Sequence, residues 1–188
     1  MRIIAGDAKG RKLLAPPGRD TRPFLDSLKE ALFNILQGEI EDAAVWDLFS
    51  GSGSMGLEAL SRGAKHAAFV DKGRSAIDTL RKNIDALGYG DRCRVSSLDV
   101  FRYERHTDDP CPDIIFFDPP FPLVQQDPDR ILRFLPELAE NLNPSGLLMY
   151  RSPAKQALSE VGEGLILEDC RVKGVNALHF IRVQETFE

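Results

Sequence analysis

The stretch AVWDLFSGSGSMG, residues 44–56, decides the fold of this chain. An apolar run of strand length leads into Gly51, Gly53 and Gly56, a G-x-G-x-x-G spacing that is typical of a tight turn between a parallel strand and a helix. Such glycines let a ligand approach the backbone closely. Asp71 ends the next apolar run, about twenty residues beyond Gly51, where a carboxylate can accept hydrogen bonds from two ribose hydroxyls. The stretch therefore predicts the first strand–helix unit of a sheet that binds a nucleoside.

Short apolar strands alternate with amphipathic helices after residue 44, which indicates βαβ units and a mostly parallel sheet. The pattern predicts strands over residues 44–49, 67–71, 94–97, 113–118 and 146–151. Two further segments, residues 165–173 and 177–184, predict a C-terminal hairpin that adds an antiparallel pair at the sheet edge. Pro136 lies within a helical pattern and is expected to kink or split that helix. We therefore expect an α/β fold with seven strands.

Residues 1–38 are expected to form an extension of a body that spans residues 39–188. Runs at residues 2–5 and 11–14 predict a small hairpin, and a later apolar face predicts a helix that ends at Gly38; this face comprises Leu25, Leu28, Leu32 and Ile35.

Charge is unevenly distributed along the chain. The whole chain has a net charge of −5, whereas residues 1–23 carry six basic and two acidic side chains. A basic arm of this kind indicates contact with phosphates, although short basic termini are also common as solvated tails. The candidate RNA contacts are Arg2, Lys9, Arg11, Lys12, Arg19 and Arg22.

Several classes of protein are disfavoured by composition. The three cysteines form no C-x-x-C pair and the three histidines have no ligand spacing, so neither a zinc site nor a disulfide framework is indicated. We expect no metal ion, and we expect the histidines to lie on the surface or at an interface. No apolar run approaches the roughly 20 residues of a membrane span. The sequence thus favours a soluble cytoplasmic protein, which we expect to be a monomer.

The tetrapeptide Asp118-Pro119-Pro120-Phe121 follows a fully apolar predicted strand. Proline cannot continue a strand ladder, so carbonyl groups there stay free to accept hydrogen bonds. The Asp118 side chain and the Pro119 carbonyl could receive both hydrogens of one exocyclic amino group, while Phe121 stacks on the base. Two acceptors would aim the nitrogen lone pair at an electrophile. Taken alone, the tetrapeptide is also compatible with an ordinary proline turn after a buried strand.

The glycine turn by itself suits a nicotinamide dinucleotide and S-adenosylmethionine about equally. Asp47 would repel a pyrophosphate but suits the ammonium and sulfonium charges of S-adenosylmethionine. Asp99 and Val100 could hold adenine through a side-chain acceptor and a backbone donor. The amine clamp has no role in hydride transfer, so methyl transfer is favoured. The candidate cofactor contacts are Asp47, Phe49, Gly51, Gly53, Gly56, Asp71, Lys72, Asp99, Val100 and Asp118.

Together with these motifs, the segments at residues 2–6, 10–13, 21–23, 29–36 and 56–64 resemble bacterial 16S ribosomal RNA guanine-N2 methyltransferases of the RsmD type. The resemblance covers most of residues 2–121. It implies a Rossmann-like class I methyltransferase, S-adenosylmethionine as donor, and one guanine amino group of the small ribosomal subunit, or of its assembly intermediate, as acceptor. One departure is visible, because Asp26-Ser27-Leu28 stand where the family usually has Asp-Arg-Val. The missing arginine removes a phosphate or cofactor contact unless Lys29 supplies it.

Three alternatives remain open at this point. The same amine clamp could serve adenine N6 of DNA, although no segment is left for a separate DNA-reading domain. The chain could be a non-catalytic RNA-binding assembly factor that keeps only the fold. An NAD-dependent oxidoreductase is disfavoured by Asp47 and by the lack of a plausible acid at a hydride site.

Overall fold

The computed structural model describes residues 1–15 and 26–184. Within these residues, the helices are α1 (Asp26–Ile35), α2 (Ser54–Ser61), α3 (Arg74–Leu87), α4 (Phe121–Gln126) and α5 (Pro128–Ala139). The strands are β1 (Ala44–Leu48), β2 (His66–Asp71), β3 (Cys93–Ser97), β4 (Ile114–Phe117), β5 (Leu147–Pro153), β6 (Leu165–Lys173) and β7 (Asn176–Val183). Short 3₁₀ helices lie at Gly90–Arg92, Val100–Arg102 and Ala154–Gln156.

The seven strands form one sheet in the order β3-β2-β1-β4-β5-β7-β6. The pairs β1–β2, β2–β3 and β4–β5 are parallel, whereas β7 pairs antiparallel with both β5 and β6. The predicted α/β fold, with its mostly parallel sheet and antiparallel C-terminal hairpin, is therefore confirmed. The chain divides into two compact units, residues 1–104 and 105–188. The division into an RNA-contacting extension and a body at residue 38 stays a prediction.

The first unit is organised around β1 and α2. Every residue of β1 is buried, and all eight residues of α2 are buried as well. A helix that is buried on every side belongs to the interior, and this explains its run of small and apolar residues. Trp46 of β1 packs edge-on against Tyr103, with 4.9 Å between ring centroids. At the other end of the unit, Gly88 terminates α3 in the left-handed conformation that glycine adopts without strain.

The N-terminal segment forms the predicted small hairpin, with an antiparallel bridge between Arg2 and Lys12 and a hydrogen bond from the Ile3 amide to the Arg11 carbonyl at 3.0 Å. Ile3 and Leu13 are 0% and 7% exposed, so their burial holds the segment down. Helix α1 starts at Asp26 in the described chain.

The predicted apolar face of α1 is confirmed at Leu28 and Leu32, which are 2% and 0% exposed, and is wrong at Ile35; Leu25 lies outside the described residues. Ile35 is 41% exposed, whereas Phe33 and Leu36 are fully buried. The 3.6-residue period allows either face when apolar residues are adjacent, and packing selected this one.

In the second unit, all four residues of β4 are buried, as expected of an interior strand. Helix α5 runs without interruption through Pro136, so the predicted split is wrong. Proline removes only the bond to the carbonyl of Leu132, a residue that is 41% exposed, and Glu140 still donates to the Pro136 carbonyl at 3.0 Å. The break in the helical pattern lies at Asp127 instead, where α4 ends and the Asp127 carboxylate caps α5.

Candidate cofactor turn and nucleobase motif

The glycine turn after β1 depends on backbone conformations that favour glycine. Gly51 and Gly53 have φ values of +55° and +81°. A Cβ atom on Gly53 would lie 2.4 Å from a Leu80 methyl carbon. A Cβ atom on Gly56 would lie 2.4 Å from the Phe69 ring, so this third glycine lets α2 approach β2 closely. The turn therefore favours glycine at residues 51 and 53 because of their backbone conformations, and at residue 56 because of the close approach of α2 to β2.

Two carboxylates brace the turn. Asp47 is 2% exposed and its Oδ2 accepts a hydrogen bond from the Gly56 amide at 2.8 Å. Asp71 accepts from the Gly51 amide at 2.9 Å through Oδ2 and from the Gly73 amide at 2.7 Å through Oδ1. An ionised carboxylate offers about four lone-pair sites, so Asp71 keeps capacity for ribose hydroxyls after these two bonds.

The turn has the properties of a ligand cradle. A Cβ atom on Gly51 would meet no atom within 4 Å, so open space lies beside the backbone there. The Ser50 hydroxyl oxygen is buried and has no hydrogen-bond partner in the described parts of the chain. A buried orphan hydroxyl is costly unless a ligand or water satisfies it. Phe49 has a φ of +60°, which is unusual for a bulky residue, and such strain clusters at functional sites.

The predicted adenine contacts lie one strand further along. The Asp99 carboxylate accepts from the Phe101 amide at 3.2 Å and caps the 3₁₀ helix Val100–Arg102. Val100 is 2% exposed. The Phe101 ring contacts the Phe49 ring edge-on at 5.9 Å, and Lys72 is exposed after β2. Asp99 can cap the 3₁₀ helix and still accept a hydrogen bond from adenine, because one backbone amide uses only a small part of the carboxylate's capacity to accept hydrogen bonds.

In the second unit, Asp118 follows β4 directly and its side chain is 16% exposed. The Pro120 carbonyl accepts from the amides of Leu123 and Val124 and so begins α4. Within the described residues, the Pro119 carbonyl accepts no hydrogen bond, as the clamp requires. Phe121 is half-buried at the first position of α4. The motif therefore presents a carboxylate, a carbonyl oxygen and an aromatic ring over four residues.

Arg151 is a member of this site that sequence reasoning missed. Its Nε donates to Asp118 Oδ1 at 2.5 Å, and its guanidinium carbon lies 4.7 Å from the centroid of the Phe121 ring. Burial raises the pKa of Asp118, and the Arg151 guanidinium opposes that rise. The available signal was weak: an arginine at the end of a buried strand whose parallel neighbour ends in an aspartate.

The predicted RNA contacts are only partly described. Arg2, Lys9, Arg11 and Lys12 are exposed, whereas Arg19 and Arg22 lie outside the described residues. Arg2 forms an exposed ion pair with Asp26 at 3.6 Å, and such pairs contribute little to stability. The Arg11 guanidinium donates to the Ala86 carbonyl at 2.6 Å, near the end of α3.

Lys29 does not replace the missing arginine. Its side chain is 0% exposed, pairs with Glu58 at 3.1 Å and donates to the Arg2 carbonyl at 2.7 Å. Burial lowers the pKa of Lys29, and Glu58 opposes that effect. The lysine therefore anchors the N-terminal segment and cannot reach a phosphate.

The expectation of surface or interface histidines is wrong for His179, which is 0% exposed. Its Nε2 accepts from the Leu158 amide at 2.8 Å and its Nδ1 faces the Tyr150 carbonyl at 3.1 Å. In residues 1–15 and 26–184, no cluster of three or more potential metal ligands occurs. No helix in those ranges is long and apolar enough to cross a membrane.

Comparison with known proteins places the chain in a family. Residues 1–182 match the model of the family described as Conserved hypothetical protein 95. The chain belongs to this family. The motif-based resemblance to RsmD-type proteins is confirmed at this level, since the relatives include Ribosomal RNA small subunit methyltransferase D of Escherichia coli K12.

That relative is 40% identical over 121 residues, which are 64% of this chain and 60% of the relative. The chain spans 55% to 60% of the length of the first curated relatives it matches. Among solved structures, "Putative methyltransferase yhhF" from Escherichia coli superposes with a TM-score of 0.82 at 32% identity, over 98% of both chains. The Rossmann-like class I methyltransferase fold is thereby established.

Proposed function

We propose that this protein transfers a methyl group from S-adenosylmethionine to the exocyclic N2 of a guanine in 16S ribosomal RNA of the small subunit. The observation that carries the proposal is the glycine turn braced by Asp47 and Asp71, with open space at Gly51 and an orphan hydroxyl at Ser50. A buried carboxylate beside the turn disfavours a pyrophosphate and favours the positive charges of S-adenosylmethionine. The relative named as a small-subunit rRNA methyltransferase supports the same reading.

The residues of the turn suit each part of that cofactor. Gly51, Gly53 and Ser50 would line the methionine part, Asp71 would accept from the ribose hydroxyls, and Asp99 with the Val100 backbone would hold adenine. The cofactor would supply a methyl carbon on a sulfonium sulfur, whose bond to sulfur breaks as the bond to nitrogen forms. The buried Asp47 carboxylate would add a negative charge that stabilises the cationic donor in its bound form.

The nucleobase motif would supply the other half of the chemistry. Asp118 and the Pro119 carbonyl would accept both hydrogens of the guanine amino group, which concentrates the nitrogen lone pair on the side away from these acceptors. Positive charge develops on nitrogen during transfer, and two oxygen acceptors stabilise it. The nitrogen becomes acidic once methylated, so its proton can leave afterwards and Asp118 need not act as a strong base. Phe121 would hold the ring by stacking.

The substrate is proposed to be RNA in which the target guanine is unpaired or turned out of its stack, because cytosine otherwise occupies the amino group. The exposed basic residues of the N-terminal segment would contact phosphates; those described are Arg2, Lys9, Arg11 and Lys12. Action in the cytoplasm, on a small subunit or its assembly intermediate, belongs to the same proposal, as does action as a monomer.

The test is transfer of labelled methyl groups from S-adenosylmethionine to unmodified small subunits, naked 16S rRNA and DNA in parallel, followed by analysis of the nucleosides. Label in N2-methylguanosine of the RNA samples is the expected result. Label in N6-methyladenosine of DNA would instead identify the adenine methyltransferase, and no label in any sample would favour a non-catalytic assembly factor.

A variant pair tests the clamp. We expect Asp118→Ala to lower kcat by about 100- to 1000-fold, the range for removing one preorganised partner of developing charge, and to leave S-adenosylmethionine affinity largely intact. The matched control is Asp129→Ala in the same unit, because Asp129 is an exposed carboxylate in the first turn of α5. Equal losses of cofactor affinity and of turnover in Asp118→Ala would contradict the clamp.

A further inference from the structure

Arg151 makes the two contacts that the nucleobase is proposed to make. Its planar guanidinium donates an N–H to the Asp118 carboxylate and lies over the ring of Phe121. An amino-bearing base would likewise present N–H donors at its edge to the carboxylate and a flat face to the ring. Within the second unit, the guanidinium therefore occupies the position in which such a base would be held.

The backbone explains why arginine reaches this position. Strands β4 and β5 are parallel neighbours in which Phe117 pairs with Tyr150, so Asp118 and Arg151 are the next residues along the two strands. The guanidinium and carboxylate are 13% and 16% exposed, which leaves the pair only partly screened by water. A charge-assisted hydrogen bond in such surroundings is stronger than one between neutral groups.

A second anchor holds the same side chain from another direction. The Arg151 Nη1 donates to Asn176 Oδ1 at 2.8 Å, and Asn176 is 6% exposed at the start of β7. This contact involves neither Asp118 nor Phe121. A guanidinium displaced from the carboxylate and the ring would therefore still have a hydrogen-bond acceptor close by, the Asn176 side chain.

We propose that Arg151 is a positioning residue that keeps Asp118 and Phe121 in place as an internal substitute for the nucleobase, and that the base must displace its guanidinium on entry. The inference rests on the proposed function, because it assigns the base to Asp118 and Phe121. It makes the guanidinium a competitor of the substrate. Removing the guanidinium should therefore strengthen base binding.

The variant Arg151→Met keeps an unbranched stem and removes every donor. Charge-assisted contacts of this kind contribute about tenfold or more to an equilibrium, so we expect the KM for unmodified small subunits to fall by about tenfold while kcat changes by less than about threefold. Arg151→Lys keeps the charge without the flat fork and should have a KM nearer that of the parent protein.

The matched control is Arg182→Met. Arg182 pairs with Glu168 at 2.9 Å and lies opposite Leu147, at the other end of the β5–β7 pair from Arg151. The KM of Arg182→Met should equal that of the parent protein. Circular dichroism melts of all variants establish that they are folded before the kinetics are compared.

Guanosine binding, measured by NMR, gives a readout that needs neither methyl transfer nor phosphate contacts. Tighter binding of guanosine to Arg151→Met than to the parent supports the inference, and it does so even if the parent methylates no RNA, in which case the proposed function alone fails. Weaker guanosine binding to Arg151→Met, or a raised KM, would show that Arg151 binds the base directly and would overturn the inference. No guanosine binding to either protein, together with an unchanged KM, would overturn it as well.

Discussion

Glu58 connects the N-terminal segment to α2, the helix that follows the glycine turn, and its replacement by glutamine tests how much this connection stabilises the fold. Its Oε2 accepts from the Ile4 amide at 2.8 Å and pairs with Lys29 at 3.1 Å. Its Oε1 accepts from the Ala5 amide at 3.0 Å and pairs with Arg62 at 2.8 Å. Glu58 and Lys29 are both 0% exposed, so no water can replace a lost partner.

The expected effect of Glu58→Gln follows from these four donors. The glutamine NH2 group must face two of them, and the buried Lys29 loses its counter-charge. Removing one partner of a buried ion pair typically costs about 3–5 kcal/mol in the free energy of unfolding. At a denaturant slope of about 2 kcal/mol per molar urea, the unfolding midpoint should fall by roughly 1.5–2.5 M.

Urea unfolding followed by circular dichroism measures this shift. Glu30→Gln is the matched control, because Glu30 is an exposed glutamate on α1, and its free energy of unfolding should differ from that of the parent by less than about 0.5 kcal/mol. Adding Lys29→Met to Glu58→Gln should restore part of the loss, since the unpaired charge is gone. Hydrogen exchange at the Ile4 and Ala5 amides should also accelerate in Glu58→Gln.

A loss below about 1 kcal/mol in Glu58→Gln, with unchanged exchange at both amides, would refute the reasoning. That result would mean that water or another side chain satisfies Lys29 and the two amides. The anchoring of the basic segment onto α2 would then rest on the burial of Ile3 and Leu13 and on the hydrogen bonds that Ser61 makes to the segment.

Two further predictions concern packing and protonation. Gly56→Ala should lower the free energy of unfolding by about 1–3 kcal/mol, because its Cβ would lie 2.4 Å from the Phe69 ring. The control Gly90→Ala should be near neutral, because its Cβ would meet open space. Equal urea midpoints for the two variants would count against the close helix–strand contact. Burial lowers the pKa of His179, so the unfolded chain binds a proton that the folded chain does not, and stability should fall as the pH drops below about 6.5, by up to about 1.4 kcal/mol per pH unit. This dependence should weaken in His179→Gln and persist in His106→Gln, a change at an exposed histidine, when urea midpoints are compared at pH 7.5 and 5.5.

The positions of the strands along the chain could be predicted because each depends on a local pattern. Alternation of apolar and polar residues over a few positions selects strand or helix, and glycine or proline marks where each ends. The same locality explains the errors. Pro136 lies close enough to the end of α5 that losing one hydrogen bond does not divide the helix, and the face of α1 was selected by packing against residues distant in sequence.

The candidate sites show the same difference between features set by local sequence and features set by distant contacts. The glycine turn and the Asp118 to Phe121 motif are each contiguous in sequence, so covalent geometry places the groups of each motif together and a chemistry could be proposed for each from sequence. The bracing of the turn was less visible, because Asp71 and Gly51 are 20 residues apart and their hydrogen bond requires the β1–β2 register.

The sequence by itself determined an α/β chain with a glycine turn after its first strand, and it predicted a nucleoside site at that turn and an amine site at Asp118 to Phe121, because both predictions need only short-range spacing and side-chain chemistry. Only the tertiary structure decided that Arg151 contacts Asp118 across 33 residues, that Glu58 accepts from the Ile4 amide across 54 residues, and that His179 is buried. The physical reason is that these contacts depend on strand register and on the burial of charged groups, which are properties of the assembled sheet and of no single segment.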